Sequence, residues 1–300
     1  MKKELRGLLK KYRVRFSHEQ VRHRRLWICG GVILFALVLT WFWTSVPDTA
    51  ARYVWERYQD GSLALSLGRT DASLALQIGE YYFGNQAMLG VSGAPRPYDL
   101  KTAGRAFKKA SAINPLQPLA HYMLARIEFI GSDFDAALQD LNMELALNPE
   151  FKRTLYMRGL TFTYRGSGGD YARAESDFQE FIAWAPTEWA GYNDFAFVLG
   201  KDKKYSAAMA IAKEGIAKAD GGATNPWLWD LLGVMQLNLN EPSSALASFL
   251  NARTYAASLS SVDWQRAYPG NSPSTSQSGV GAMQAGIGRN IIAARDALEK

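Results

Sequence analysis

Residue types that carry out acid–base or metal chemistry are scarce in this chain. Its 300 residues hold three histidines, His18, His23 and His121, and one cysteine, Cys29. Histidine is the usual base and metal ligand near neutral pH. Two of the three lie in a basic N-terminal tail, so no Ser-His-Asp arrangement can be drawn and no zinc site of His and Cys can be assembled. Carboxylates offer little more. Asp133 and Asp135 flank a turn, but the twelve-residue calcium-loop spacing is absent. Asp140 and Glu144, four apart, read as a solvated helix face. The glycines of SGVGAMQAGIG miss the Gly-x-Gly-x-x-Gly spacing, follow no strand, and read as a flexible loop. Neither enzyme activity nor a cofactor or metal is expected.

The formal net charge is +6, and its placement decides its meaning. Residues 1–25 carry ten Lys/Arg against Glu4 and Glu19, about +8, which leaves the other 275 residues near −2. Nucleic-acid binding is therefore not expected. The next 21 residues, 26–46, read LWICGGVILFALVLTWFWTSV and contain no charge. At 1.5 Å per residue they span about 30 Å, a bilayer's hydrocarbon core. Trp27 sits at one end and Trp41, Phe42 and Trp43 at the other, as interfacial aromatics do. The run exceeds a signal-peptide core and no small-x-small cleavage site follows, so a retained membrane anchor is expected, ending at Pro47 and Asp48. Cys29 then becomes a membrane residue. The excess of Lys/Arg before the span places the N-terminus in the cytoplasm and residues 47–300 outside, with a bacterial inner membrane as the expected setting. Leu5, Leu9, Tyr12 and Phe16 recur at helical spacing among the basic residues, which gives residues 2–25 a possible contact with anionic lipid beside their topogenic role.

The remainder carries an internal repeat. Pro115 and Pro149 close SAINP and LALNP, 34 residues apart. Ala103, Phe107 and Ala110 precede the first, and Ala137, Leu141 and Leu145 the second. The spacing returns as Ala174, Phe178 and Phe181 before Pro186, and as Ala245, Phe249 and Ala252 with Ala257 in the proline position. The sequence here resembles the tetratricopeptide repeat family. The copy from Pro226 supplies Trp229, Leu232, Gly233, Ala245, Phe249 and Ala252; that from Pro118 supplies His121, Leu124, Ala125, Ala137, Leu141 and Pro149. Copies also begin at Lys152, with three extra residues near GSGGD, and at Trp189. An earlier copy, from Ile78, Gly79 and Tyr82 to Pro115, is split by a Gly/Pro-rich insertion near residues 86–98. The resemblance covers about residues 70–257 and implies an all-α solenoid of helical hairpins, in which one pair cannot bury its apolar face alone. The expected organisation is a basic tail (1–25), a transmembrane helix (26–46), a connecting helical segment (47–70), four to five repeats (71–257), a Ser/Gly/Pro-rich loop (258–281) and a C-terminal capping helix (282–300). His121, at a large-residue position, is expected to be structural.

The resemblance also implies that the first helix of each pair lines a concave groove that binds proteins. The matching positions are Leu119, Tyr122, Arg126 and Phe129; Arg153, Tyr156 and Leu160; Asn193 and Phe197; and Trp227, Asp230 and Val234. Aromatics and arginine dominate interface energetics, and Arg126 or Arg153 is suited to pairing with a carboxylate of a bound peptide or helix. The family's clamp for a C-terminal carboxylate is not matched, since Tyr122, Arg126, Arg153 and Met157 occupy those sites. Two functions are expected: a membrane-tethered adaptor for envelope assemblies, or a structural subunit of a larger membrane complex or filament (secretion, pilus or polysaccharide-export type). In the second, Trp184, Trp189, Trp227 and Trp229 would mark permanent contacts on outer helices.

Overall fold

The computed structural model describes residues 18–84, 98–268 and 271–300, and the chain divides into two units, residues 1–70 and 71–300. Residues 2–17, whose lipid contact the sequence raises, and most of the insertion near 86–98 lie outside the described residues.

In the first unit, α1 (His18–Tyr58) runs for 41 residues and α2 (Gly61–Leu67) folds back along its C-terminal part. The helix passes through Pro47, so the apolar stretch and the segment that follows it are one continuous helix. A proline forfeits one backbone hydrogen bond, but the turns beyond it gain a packed face. Ala51 and Trp55 are buried together with Ala64 of α2. Asp48, next to the proline, accepts from the backbone N–H of Arg69 and Thr70 and from the Thr70 hydroxyl. Arg69 stacks 4.0 Å over Trp43. Preceding this hairpin, Trp27, Phe35, Leu37, Trp41 and Trp43 are each at least 60% exposed, a contiguous apolar surface of the kind that marks protein or membrane contact sites. Among the described residues this is the one helix long and apolar enough to cross a membrane.

The second unit is a succession of antiparallel helix pairs: α3 (Ala72–Tyr82) with α4 (Leu100–Ile113), α5 (Ala120–Ile130) with α6 (Phe134–Leu147), α7 (Arg153–Arg165) with α8 (Asp170–Trp184), α9 (Trp189–Lys201) with α10 (Tyr205–Lys218), and α11 (Pro226–Asn238) with α12 (Pro242–Ala256). Among the described residues there is no strand. The repeat's small residues explain the pairing. Ala103, Ala137, Ala174, Ala208 and Ala245 are fully buried, as are Phe107, Leu141, Phe178 and Phe249 one turn later. Each large ring lies where the first helix offers a small residue. At Gly233 an added methyl would meet the Phe249 ring at 2.5 Å. Burying each such side chain contributes about 2–3 kcal/mol. Three of the hairpin turns are alike. Ser132, Lys203 and Asn240 adopt left-handed φ of 61°, and the next N–H of each (Asp133, Lys204, Glu241) reaches back to the carbonyl of Glu128, Leu199 and Gln236, a Schellman closure.

Several sequence expectations change in detail. The repeat position given to Leu145 belongs to Glu144, which is fully buried. Its carboxylate accepts from the N–H groups of Leu119 and Tyr122 at 3.0 and 3.3 Å, capping α5 where Leu119, at φ 67°, offers no side-chain cap. Asp140 is not a solvated residue either; its side chain is 14% exposed and sits 2.6 Å from His121 Nδ1. The expected loop over 258–281 holds α13 (Ser261–Ala267) and the start of α14 (Ser276–Leu298). Ser260 and Asp263 form a reciprocal capping box that starts α13. Gly279, read as a flexible-loop residue, instead lies against the Trp264 indole with no room for a Cβ. Helix α14 buries Ile287, Ile291 and Ala294 against Phe249 and Ala252, closing the last repeat.

Candidate partner-binding face

The residues implied as groove-lining stand on the first helices α5, α7, α9 and α11, and many meet across successive pairs. Arg153 of α7 donates two hydrogen bonds to Glu188, at the start of α9, at 2.8 and 2.7 Å. The Tyr156 hydroxyl donates to Asp194 of α9 at 2.6 Å. Phe129 of α5 stands edge-on to Tyr164 of α7 with centroids 5.5 Å apart, and Tyr164 faces Phe197 of α9 at 6.3 Å. Trp227 of α11 stacks on Trp189 of α9 at 5.0 Å and 21°. Asp230 accepts from Asn290 of α14 at 2.9 Å. Tyr122 packs on Phe151, and Arg126 lies 4.4 Å over the Phe83 ring. Leu160 and Val234 pack against the core beneath. Asn193 serves chiefly to donate to Asp194 at 3.1 Å.

Sequence reasoning missed part of this face. Tyr164, Glu188 and Asp194 complete the contacts named above, and Trp264 and Tyr268 of the C-terminal segment close it. Tyr268 lies 4.5 Å from Trp264 and 6.3 Å from Trp227. The tryptophans expected on outer helices are used internally: Trp189 and Trp227 stack on each other, and Trp229 donates to the Ala223 carbonyl at 2.8 Å. Trp184 alone of the four is exposed, at 48%.

The electrostatics differ along the face. Asp194 is pushed up to about 6 by burial, against the opposing hydrogen bonds from Tyr156 and Asn193. Burial also raises Asp230, despite its bond from Asn290. Burial and then the Asp194 charge raise Tyr156 well above its ordinary value, lift Tyr164, and push Tyr268 up to about 12. At the other end, behind α5, Glu128 is pushed up to about 8 by burial and by the facing Asp140 carboxylate. Its Oε2 and the Nε2 of His121 are buried without hydrogen-bond partners. His121, 5% exposed, joins α5 to α6 through Asp140. Among the described residues no group of three His, Cys, Asp or Glu side chains is arranged to hold a metal ion.

No family model matches the sequence, and no curated protein does. Solved structures do resemble the fold. A MamA fragment, residue 41 to the end, from Desulfovibrio magneticus RS-1 superposes with a TM-score of 0.52 at 16% identity, covering 62% of this chain and 96% of that one. PilW, a widely conserved type IV pilus biogenesis factor, gives 0.52 at 16% identity, covering 77% of this chain and 91% of that one. A second crystal structure of MamA gives 0.50 at 14% identity over 62% and 92%. Together with the repeated Ala/aromatic spacing and the paired helices, these likenesses show that the chain has the tetratricopeptide-type helical-hairpin fold.

Proposed function

We propose that the protein is a membrane-anchored scaffold that holds partner proteins on the first-helix face of its solenoid, on the extracytoplasmic side of the membrane. The observation that carries the reading is the contrast between an apolar stretch of α1 whose side chains are left exposed and a capped solenoid whose first helices display Arg126, Tyr164, Phe197 and Trp227. Tethering raises the effective concentration of weakly bound partners in the plane of the membrane. The Lys/Arg excess before the span supports a cytoplasmic N-terminus, and the basic tail is placed to meet anionic headgroups there. A periplasmically active reporter fused after Lys300 is expected to function and a cytoplasmically active one to fail; the reverse pattern overturns the orientation. Crosslinking in native membranes is expected to recover partner proteins that Arg126→Glu or Phe197→Ala loses while the anchor stays in place.

A second reading is a permanent subunit of a larger membrane assembly. The likeness to PilW, a pilus biogenesis factor, and the exposed Trp184 support it. A stoichiometric complex that survives high salt in mild detergent favours this reading; exchangeable, substoichiometric partners favour the scaffold.

A further inference from the structure

Asp194 is the most unusual group on the first-helix face. It sits at the middle of α9, largely covered, with its two oxygens each receiving one hydrogen bond, from Tyr156 and from Asn193. A carboxylate has about four acceptor positions, so half of its capacity is unspent. Among the described residues no lysine or arginine pairs with it, although Arg153, Arg158 and Arg165 each find carboxylates nearby. Two tyrosines feel its charge, Tyr164 of α7 and Tyr268 beyond α13, and each leads on to a second ring: Tyr164 faces Phe197 of α9, and Tyr268 faces Trp227 of α11. Tyr164 and Tyr268 are 57% and 36% exposed, so the rings are reachable from solvent. The Phe197 ring already carries an ammonium, Lys201 Nζ, 5.6 Å from its centroid. A carboxylate withdrawn from water among aromatic rings is costly alone and favourable when a cation joins it, because the rings attract positive charge and the cation supplies the missing counter-charge.

We propose that Asp194, with Tyr164, Phe197, Trp227 and Tyr268, forms a seat for a cationic side chain, lysine or arginine, carried by a protein segment that lies along the first helices. The proposal rests on the scaffold reading and names the chemistry of its partner. Charge complementarity selects the occupant: Asp194 and Asp230 are unmatched carboxylates on this stretch, whereas the stretch on α5 and α7 presents Arg126 and the Arg153–Glu188 pair. The segment therefore runs with its basic residue toward α9 and α11.

The test uses the full chain in mild detergent, probed with an array of random decapeptides and then, by fluorescence anisotropy, with the strongest binder. Enrichment of Lys or Arg at one peptide position is expected. Replacing that residue by norleucine should weaken binding roughly tenfold, and Asp194→Asn, which keeps the shape, accepts from Asn193 through its oxygen and donates to the Tyr156 hydroxyl through its NH2, should do the same. With the norleucine peptide, Asp194→Asn should have no further effect, a non-additivity that a merely structural role would not produce. Phe197→Leu should cost roughly threefold to fivefold. Binding without cationic preference, or binding untouched by Asp194→Asn, overturns the cation seat and leaves the scaffold face standing. The absence of binding by any peptide overturns the cation seat together with the peptide-binding face on which it rests.

Discussion

The two halves of the first-helix face are built from different physics. Across α5 and α7 the exposed polar chemistry is cationic and largely settled: Arg126 stacks on Phe83, and Arg153 is clamped by Glu188. Across α9 and α11 it is acidic and unsettled, held in place by a chain of aromatic rings from Trp189 through Trp227 to Trp264 and Tyr268. The first half leans on charge pairs that water and salt can replace. The second leans on buried area and holds carboxylates at a cost. One solenoid therefore has an end tuned for rigidity of sequence-local pairs and an end whose polar groups favour an incoming counter-charge.

Trp227→Ala tests the aromatic half most severely. It removes a stacked indole that touches three other rings, with an expected loss of about 3 kcal/mol and a melting temperature lower by about 6–12 °C. Tyr122→Ala in the first half, where one ring contact is lost, is expected to cost half as much or less. Calorimetry on the two variants checks the order; equal losses would remove the distinction between the halves.

The second effect is a pH dependence. Glu128 has a folded-state value near 8 against 4.5 unfolded. The folded protein then binds the proton more tightly, so stability falls as pH rises from about 4.5 to 8 and levels off above. Glu128→Gln should gain about 1–2 kcal/mol at pH 8, after allowance for partial exposure, and little at pH 4. A gain equal at both pH values would show that the carboxyl is not held protonated. Asp194, near 6 against 3.8, behaves alike over a lower window: stability falls between about pH 3.8 and 6. Asp194→Asn should therefore raise stability at pH 7 by about 1 kcal/mol while weakening partner binding. Glu128→Gln should leave binding unchanged.

These differences mark where sequence reading succeeds. The hairpins were legible because one constraint, close approach of two helices, forces Ala or Gly opposite a large residue every 34 residues or so, and Ala103, Ala137, Ala174 and Ala245 record it. Glu144 was hidden because its carboxylate does the work of an N-cap from a neighbouring helix, which no local pattern announces. Asp194 was hidden by one position: the repeat register points to Asn193, but the side chain that reaches Tyr156 is the next one. The C-terminal segment was misread because serine and glycine signal turns on average, whereas Ser260 begins a helix and Gly279 admits an indole. Pro47 leaves the helix unbroken, since a proline's lost hydrogen bond is outweighed when the turns beyond it bury Ala51 and Trp55.

The smallest effect separates the two halves most cleanly, because it depends on salt. Arg153→Gln breaks a bidentate pair whose partners are 44% and 30% exposed, so the expected loss is below about 1 kcal/mol at low ionic strength. At 1 M salt, where screening acts within about 3 Å, the variant and the parent should melt together. The gain from Asp194→Asn should persist at 1 M salt, because it arises from burial and not from a distant charge. Titrating both variants with salt thus asks whether the two ends of the face differ in kind. If Asp194→Asn loses its effect in salt as Arg153→Gln does, then the Asp194 carboxylate is bathed in counter-ions, and the argument that it favours a partner's cation loses its physical basis.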